Sequence, residues 1–113
     1  HQGLGLGDRF LGHVERCSIL LHLIDVNQED PFHAYSTIRS ELEAYGAGLK
    51  NKAEIIGVTK IDTVDYKNAE KVRDCLSKAT KKPVFLISAS TQRGVKEILS
   101  NLSLEIKKAN ATL

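Results

Sequence analysis

Several residue types are scarce or missing in this chain of 113 residues, and each scarcity excludes a class of protein. Only two cysteines are present, Cys17 and Cys75, and they form neither a disulfide framework nor a C-x-x-C pair. This pattern is typical of reduced thiols in a cytoplasmic protein. No apolar run approaches the roughly 20 residues of a membrane-spanning helix, so we expect a cytoplasmic protein without a membrane span.

The chain contains no methionine and begins with His1. Because a natural reading frame normally starts with methionine, we expect a fragment, a processed chain or a subcloned piece. An excess of one charge is also lacking, since the net charge is only +2, which gives no argument for nucleic-acid or membrane binding. With 42% apolar and 27% charged residues, the composition is that of one ordinary globular domain.

Apolar periodicity predicts an alternation of strands and helices. Continuous apolar runs predict buried strands at 18–26, 53–58 and 83–88. Helices are predicted at 8–17, from Pro31 to near Gly46, at 66–79 and at 94–109. Their apolar positions, helix by helix in that order, are Phe10, Leu11 and Val14; Ile38, Leu42 and Tyr45; Ala69, Val72, Leu76 and Ala79; and Val95, Ile98, Leu99, Leu102 and Ile106. Tyr35 and Tyr45 are expected to pack, and Asp8 and Asp30 to act as N-caps. This order predicts an α/β fold, a parallel sheet with flanking helices.

Polar residues follow each predicted strand, at the edge where open parallel sheets bind ligands. The three clusters are Asp25-Val26-Asn27, Thr59-Lys60-Ile61-Asp62 and Ser88-Ala89-Ser90. The second and third clusters also have purely structural interpretations: Asp62 as a turn cap, Lys60 as a solvated surface lysine, and Ser88–Ser90 as a strand-to-loop junction. The loops after the second and third strands are expected to meet at one edge of the sheet, which favours a ligand site there.

Four stretches of the sequence resemble one protein family in their order and spacing. GLGLGDRFLGHVERCSILLHLIDV, 3–26, is similar to the segment that follows the switch II motif of Obg-type bacterial GTPases. TKID, 59–62, stands where that family has its Asn-Lys-x-Asp guanine motif, and ISAST, 87–91, stands where it has Ser-Ala-x. QRGVKEIL, 92–99, resembles the start of its closing helix. The first stretch is long and distinctive, whereas the two guanine motifs alone are weak signals.

The resemblance implies a partial P-loop NTPase fold of the Ras type, with residues 1–113 as the carboxyl-terminal part of the G domain. It implies GTP or GDP and Mg²⁺ as ligands, GTP hydrolysis by the intact protein, and work on the large ribosomal subunit. The implied guanine-binding residues are Thr59, Lys60, Asp62, Ser88, Ala89 and Ser90. The implied switch II region includes Gly3, Gly5, Gly7, Asp8 and Arg9.

Guanine recognition calls for a carboxylate, because the base presents two adjacent donors, N1–H and the 2-amino group. Asp62 is the candidate, and the Lys60 stem can lie across the face of the base. By resemblance, the Ala89 backbone N–H donates to guanine O6 and Ser88 steadies the aspartate. Thr59 departs from the family's asparagine, and this is expected to cost on the order of 1 kcal/mol of binding, with specificity kept through Asp62.

The phosphate-binding part of such a domain is not found in the sequence. No G-x-x-x-x-G-K-[ST] and no D-x-x-G occurs, and GLGLG, 3–7, fails the G-x-G-x-x-G spacing. The resemblance places the magnesium ligands and most phosphate contacts in an upstream, amino-terminal half. We therefore expect no GTP hydrolysis by these residues alone, and we assign no catalytic residue and no metal ligand among them.

Two other classes of protein are alternatives, and the second of them is disfavoured. One is a stand-alone α/β binding or interaction module with no nucleotide role. The other is a flavodoxin-like receiver domain with Asp25 as its strand-end carboxylate, although Asp25 lacks the adjacent acid that such a site needs. Selective binding of guanine nucleotides would distinguish the first interpretation from both.

Overall fold

The computed structural model describes residues 19–45 and 52–111, with side chains up to residue 108. Two sequence predictions lie outside the described residues. One is the helix at 8–17 with Asp8 as its N-cap, and the other is the switch II region, comprising Gly3, Gly5, Gly7, Asp8 and Arg9.

Three parallel strands form the sheet, in the order β1-β2-β3. They span Ile19–Asp25, Ala53–Thr59 and Val84–Leu86. The predicted α/β architecture is confirmed, and the strand ends differ from the prediction by one or two residues. Strand β3 is the shortest, because beyond it the Ser88 amide donates to the Arg93 carbonyl and the chain pairs with itself.

In the described part of the chain, three α-helices follow the strands in alternation: α1 is Pro31–Tyr45, α2 is Tyr66–Thr80 and α3 is Val95–Ala111. The predicted start of α1 is confirmed, since Asp30 Oδ1 accepts a hydrogen bond from the His33 amide at 3.0 Å and Pro31 occupies the first helical position. Helix α2 ends at Lys81, a left-handed residue whose amide donates to the Ser77 carbonyl.

The two faces of the sheet carry separate apolar layers. On one face, Ile24, Ile56 and Val58 pack with residues of α1 and α2. On the other face, Ile55 and Ile87 pack against Ile98 of α3. This alternation follows from the two-residue period of a strand.

Strand β2 contains Gly57 on the α3 side of the sheet, where space is short. A Cβ at this position would lie 2.6 Å from Ile87 Cδ1 and 2.9 Å from Leu23 Cδ2. The glycine therefore lets two large aliphatic side chains approach the backbone of the central strand.

Several predicted core positions were wrong. Ile38 and Tyr45 of α1 are 45% and 41% exposed, whereas the buried stripe of this helix runs through Tyr35, Arg39 and Leu42. Tyr35 packs as predicted, and Arg39 replaces Ile38 in the stripe because its guanidinium reaches a buried carboxylate. Three further positions that the pattern predicts as apolar contacts are exposed: Ala79 of α2, and Leu99 and Ile106 of α3.

That carboxylate belongs to Glu54, near the amino end of β2, whose side chain is 1% exposed. Tyr35 donates to it at 2.7 Å, His22 Nδ1 lies at 3.3 Å, and the charged groups of Arg39 and Lys82 lie at 3.4 and 3.5 Å. Burial alone raises the pKa of Glu54, but the hydrogen bonds of His22 and Tyr35 and the charges of Arg39 and Lys82 outweigh it, so that the pKa is lowered. Burial, followed by the nearby carboxylate, raises the pKa of Tyr35.

Candidate functional site

The carboxyl ends of the strands bring the three polar clusters of the sequence to one edge. Asp25 is paired in register with Thr59, so the loops after β1 and β2 start side by side. The Ile61 amide then donates to the Ile87 carbonyl at 3.3 Å, which joins the loop after β2 to the loop after β3. This edge is where open parallel sheets hold their ligands.

Asp62 lies in a short 3-10 turn, Ile61–Thr63, directly after β2. Its Oδ1 accepts a hydrogen bond from Ser88 Oγ at 2.8 Å, and its Oδ2 accepts one from Ser90 Oγ at 3.1 Å. The Ser88 hydroxyl, followed by the aspartate's own backbone N–H, lowers the pKa of Asp62. The carboxylate is therefore ionised at neutral pH and fixed in orientation. Each of its oxygens still has acceptor capacity for another donor.

Ser88, which holds the Asp62 carboxylate, is fully buried. Besides donating to Asp62, its Oγ accepts a hydrogen bond from the Thr91 amide at 3.2 Å. Gly94 closes the same loop at φ +76°, where a Cβ would collide with the Leu86 carbonyl oxygen, so only glycine fits. The loop that holds Ser88 is thus fixed by backbone geometry as well as by side chains.

Ala89 is exposed at the tip of this loop, next to the two serines. Its carbonyl accepts a hydrogen bond from Gln92 Nε2 at 2.8 Å, and Gln92 itself has a positive φ of 64°. The small side chain leaves the backbone open to close approach by a planar group. Ser88, Ala89 and Ser90 are therefore brought together with Asp62.

Lys60 has a left-handed backbone, with φ 61°, and its ammonium lies 3.1 Å from Asp25 Oδ2. The Asn27 amide, followed by Lys60, lowers the pKa of Asp25. The Thr59 hydroxyl donates to the Ile24 carbonyl at 3.4 Å, so this side chain connects β2 to β1. The clusters after β1 and β2 are thus directly linked.

A cavity of about 380 Å³ opens beside Asp62 and Ser88. Its wall includes Tyr66 and Arg93, and the Arg93 guanidinium lies 4.2 Å from the centroid of the Tyr66 ring. The volume is in the range of small-ligand pockets. Sequence reasoning assigned no role in the site to Tyr66 or to Arg93, although Arg93 lies in the stretch QRGVKEIL, 92–99. For Asp25, the signal was its position at a strand end.

Among residues 19–45 and 52–111, no group of three or more His, Cys, Asp or Glu side chains is placed to hold a metal ion. In the same residues, no helix combines the length and apolar character needed to cross a membrane.

Replacing Ser88 with alanine is expected to raise the pKa of Asp62 toward its ordinary value of 3.8, because the hydroxyl is the largest cause of its lowering. The measurement is a pH titration of the Asp62 carboxyl carbon by NMR. Ser90→Ala is the matched control and should give a smaller rise, since the Ser90 contact is the weaker influence. An unchanged Asp62 pKa in Ser88→Ala would contradict this account of the site.

The parallel strands and flanking helices are compatible with part of a P-loop NTPase-like domain. A protein-family model agrees and gives the particular family: PduV-EutP, described as ethanolamine utilisation – propanediol utilisation, matches residues 33–104. The match covers more than half of the chain, which therefore belongs to the PduV-EutP family. It includes the loops of Asp62 and Ser88 but not the stretch 3–26 on which the Obg resemblance mainly depends.

Proposed function

We propose that this chain reads the guanine base of GTP within an Obg-type GTPase that acts on the large ribosomal subunit. The observation that carries the proposal is the Asp62 carboxylate, held on both oxygens by Ser88 and Ser90 at the ligand-binding edge of the sheet. A carboxylate so fixed is preorganised for a planar partner with two adjacent donors.

Guanine is such a partner, since its N1–H and 2-amino group lie side by side. Asp62 accepts from both, the Ala89 backbone N–H donates to O6, and the Lys60 stem covers one face of the base. Adenine has no 2-amino group and an unprotonated N1, so it would leave the carboxylate desolvated without partners. Because of this difference, the site prefers guanine to adenine.

The phosphates of GTP need other residues in this proposal. The sequence has no G-x-x-x-x-G-K-[ST] and no D-x-x-G, and the described residues contain no metal-binding cluster. By the Obg resemblance, the proposal places the phosphate loop, the Mg²⁺ ligands and the hydrolytic machinery in an amino-terminal half of the G domain. Reading the gene upstream of the His1 codon tests this assignment. We expect an in-frame upstream extension that encodes the phosphate loop and a D-x-x-G motif. An in-frame stop codon upstream of His1, with neither motif between the two, would refute the assignment.

Base selectivity is the test of the core proposal. The full-length gene product, labelled with ¹⁵N, is titrated with GDP and, separately, with ADP, and amide shifts are followed by NMR. GDP should perturb the amides of Lys60, Asp62 and Ala89, and ADP should leave them nearly unchanged. Equal responses to the two nucleotides would overturn the proposal and favour a nucleotide-independent interaction module.

The ribosomal role has a competitor with its own support. The stretch 3–26 resembles Obg-type GTPases, whereas the matched family is described by ethanolamine and propanediol utilisation. Co-sedimentation of the gene product with large ribosomal subunits, in GTP and in GDP, separates the two. Nucleotide-dependent sedimentation supports the Obg-type role. Its absence, together with intact guanine binding, would assign the protein to ethanolamine or propanediol utilisation instead.

A further inference from the structure

Lys60 is tethered to the end of β1 through its side chain. Its ammonium lies 3.1 Å from Asp25 Oδ2, in a pair whose side chains are 64% and 31% exposed. Asp25 is itself held in place, because its Oδ1 accepts hydrogen bonds from the Asn27 amide at 2.9 Å and from Asn27 Nδ2 at 3.2 Å. The carboxylate is thus presented to Lys60 in one orientation.

Lys60 is also tethered to the end of β1 through its backbone. Its carbonyl oxygen accepts hydrogen bonds from the Thr63 amide at 3.0 Å and the Thr63 hydroxyl at 2.7 Å. That hydroxyl in turn accepts a hydrogen bond from Asn27 Nδ2 at 2.9 Å. A closed ring of contacts therefore connects Asp25, Asn27, Thr63 and Lys60, and it encloses the turn that carries Asp62.

The ring of contacts restricts the conformation of Lys60. A non-glycine residue in the left-handed region is sterically strained, so it needs surrounding contacts to hold it there. A lysine side chain also has many rotamers. Binding a ligand against this side chain normally costs the conformational entropy of fixing one rotamer. Asp25 fixes the far end of this side chain before any ligand arrives.

We propose that Asp25 is a positioning residue for guanine recognition, which holds the Lys60 stem where it covers the base; this rests on the proposed function of the Lys60–Asp62 loop. Asp25 does not touch the base in this arrangement. It acts through Lys60, by electrostatic attraction to the ammonium, and Asn27 supports it. Residues at the end of β1 thereby take part in a site otherwise built from the loops after β2 and β3.

The test is a set of affinity measurements for GDP by calorimetry on the full-length gene product. Asp25→Asn keeps the size of the side chain and removes the charge, and it should weaken binding about threefold to fivefold, as expected for an exposed ion pair. In a Lys60→Met background, the same change should alter affinity by less than about twofold, because the group it acts through is gone. Lys60→Arg keeps the cation and should retain the dependence on Asp25.

Glu105→Gln is the matched control. Glu105 pairs with Lys108 at 3.4 Å, with side-chain exposures of 27% and 66%, close to those of the Asp25–Lys60 pair, but on α3 away from the site. This variant should bind GDP as the unchanged protein does. A loss of affinity equal to that of Asp25→Asn would mean that surface charge in general, and not this pair, sets the binding.

The outcomes separate this inference from the function on which it rests. If Asp62→Asn changes base preference but Asp25→Asn leaves GDP affinity unchanged, the positioning role is overturned and guanine reading stands. The role is also overturned if the effects of Asp25→Asn and Lys60→Met simply add, since Asp25 then acts independently of Lys60. If Asp62→Asn has no effect on base preference, the guanine-reading proposal itself fails.

Discussion

Asp62→Asn is expected to shift the preference of the protein from guanine toward xanthine nucleotides. Asparagine presents one acceptor and one donor, which match the N1–H and the 2-oxo group of xanthine but not the two donors of guanine. Loss of the charged two-point contact should weaken GDP binding by about 3 kcal/mol, or about two orders of magnitude. Calorimetric titrations of the full-length gene product with GDP and xanthosine diphosphate measure both effects.

Asp65→Asn is the control for this experiment. It makes the same chemical change three residues later, at the N-cap of α2, where the aspartate side chain makes no capping hydrogen bond. This variant should retain the preference for GDP. Equal GDP affinity in Asp62→Asn and the unchanged protein would show that Asp62 does not read the base.

Glu54→Gln is expected to lower the free energy of unfolding by about 3 kcal/mol, because breaking a buried ionic cluster costs far more than breaking a surface pair. The amide is similar in size to the carboxylate and can still accept from Tyr35. It cannot supply the negative charge on which Arg39 and Lys82 converge, 3.4 and 3.5 Å from Glu54 Oε1. Urea denaturation followed by circular dichroism gives the change.

The matched control is Glu43→Gln, which removes the other carboxylate that Arg39 contacts. Glu43 is 44% exposed and lies four residues from Arg39 along the same helix, so its loss should cost only about 0.5 kcal/mol or less. If the two variants were equally stable, the buried cluster would contribute no more than an exposed ion pair, and the assignment of Glu54 as its centre would be wrong.

The same residue has a predicted effect on acid stability. Because the pKa of Glu54 is lower in the folded protein, the carboxylate contributes stability that is fully present above its ordinary pKa of 4.5. That contribution is lost as the pH falls through the lower pKa of the folded state. Urea midpoints measured at a series of acidic pH values should therefore fall more steeply for the unchanged protein than for Glu54→Gln.

The two residues lie at opposite ends of the same central strand, which separates stability from recognition. Glu54 is near the amino end of β2, where it gathers charged groups from α1 and from the segment before β3. Asp62 follows the carboxyl end, in the 3-10 turn Ile61–Thr63. The effect of a variant at one end of β2 can consequently be interpreted separately from the other end.

Much of the architecture was determined by the sequence itself. Apolar runs of strand length and helical periodicity predicted a parallel α/β sheet, and Asp30-Pro31 predicted the start of α1, because these signals depend on neighbours a few residues apart. The position of polar clusters after each strand was also local information. The edge at which they gather then follows from parallel topology alone.

Tertiary structure alone decided which side chains meet. The local pattern does not indicate that Asp62 binds Ser88 and Ser90, and only the family resemblance implied the Ser88 contact. Neither the pattern nor the resemblance indicated that Lys60 pairs with Asp25. The same holds for Arg39, which is buried where the apolar pattern favoured Ile38, because a carboxylate on a neighbouring strand outweighs the hydrophobic preference of one helix position. Pairings of this kind depend on the distance between elements in space, which the order of residues along the chain does not contain.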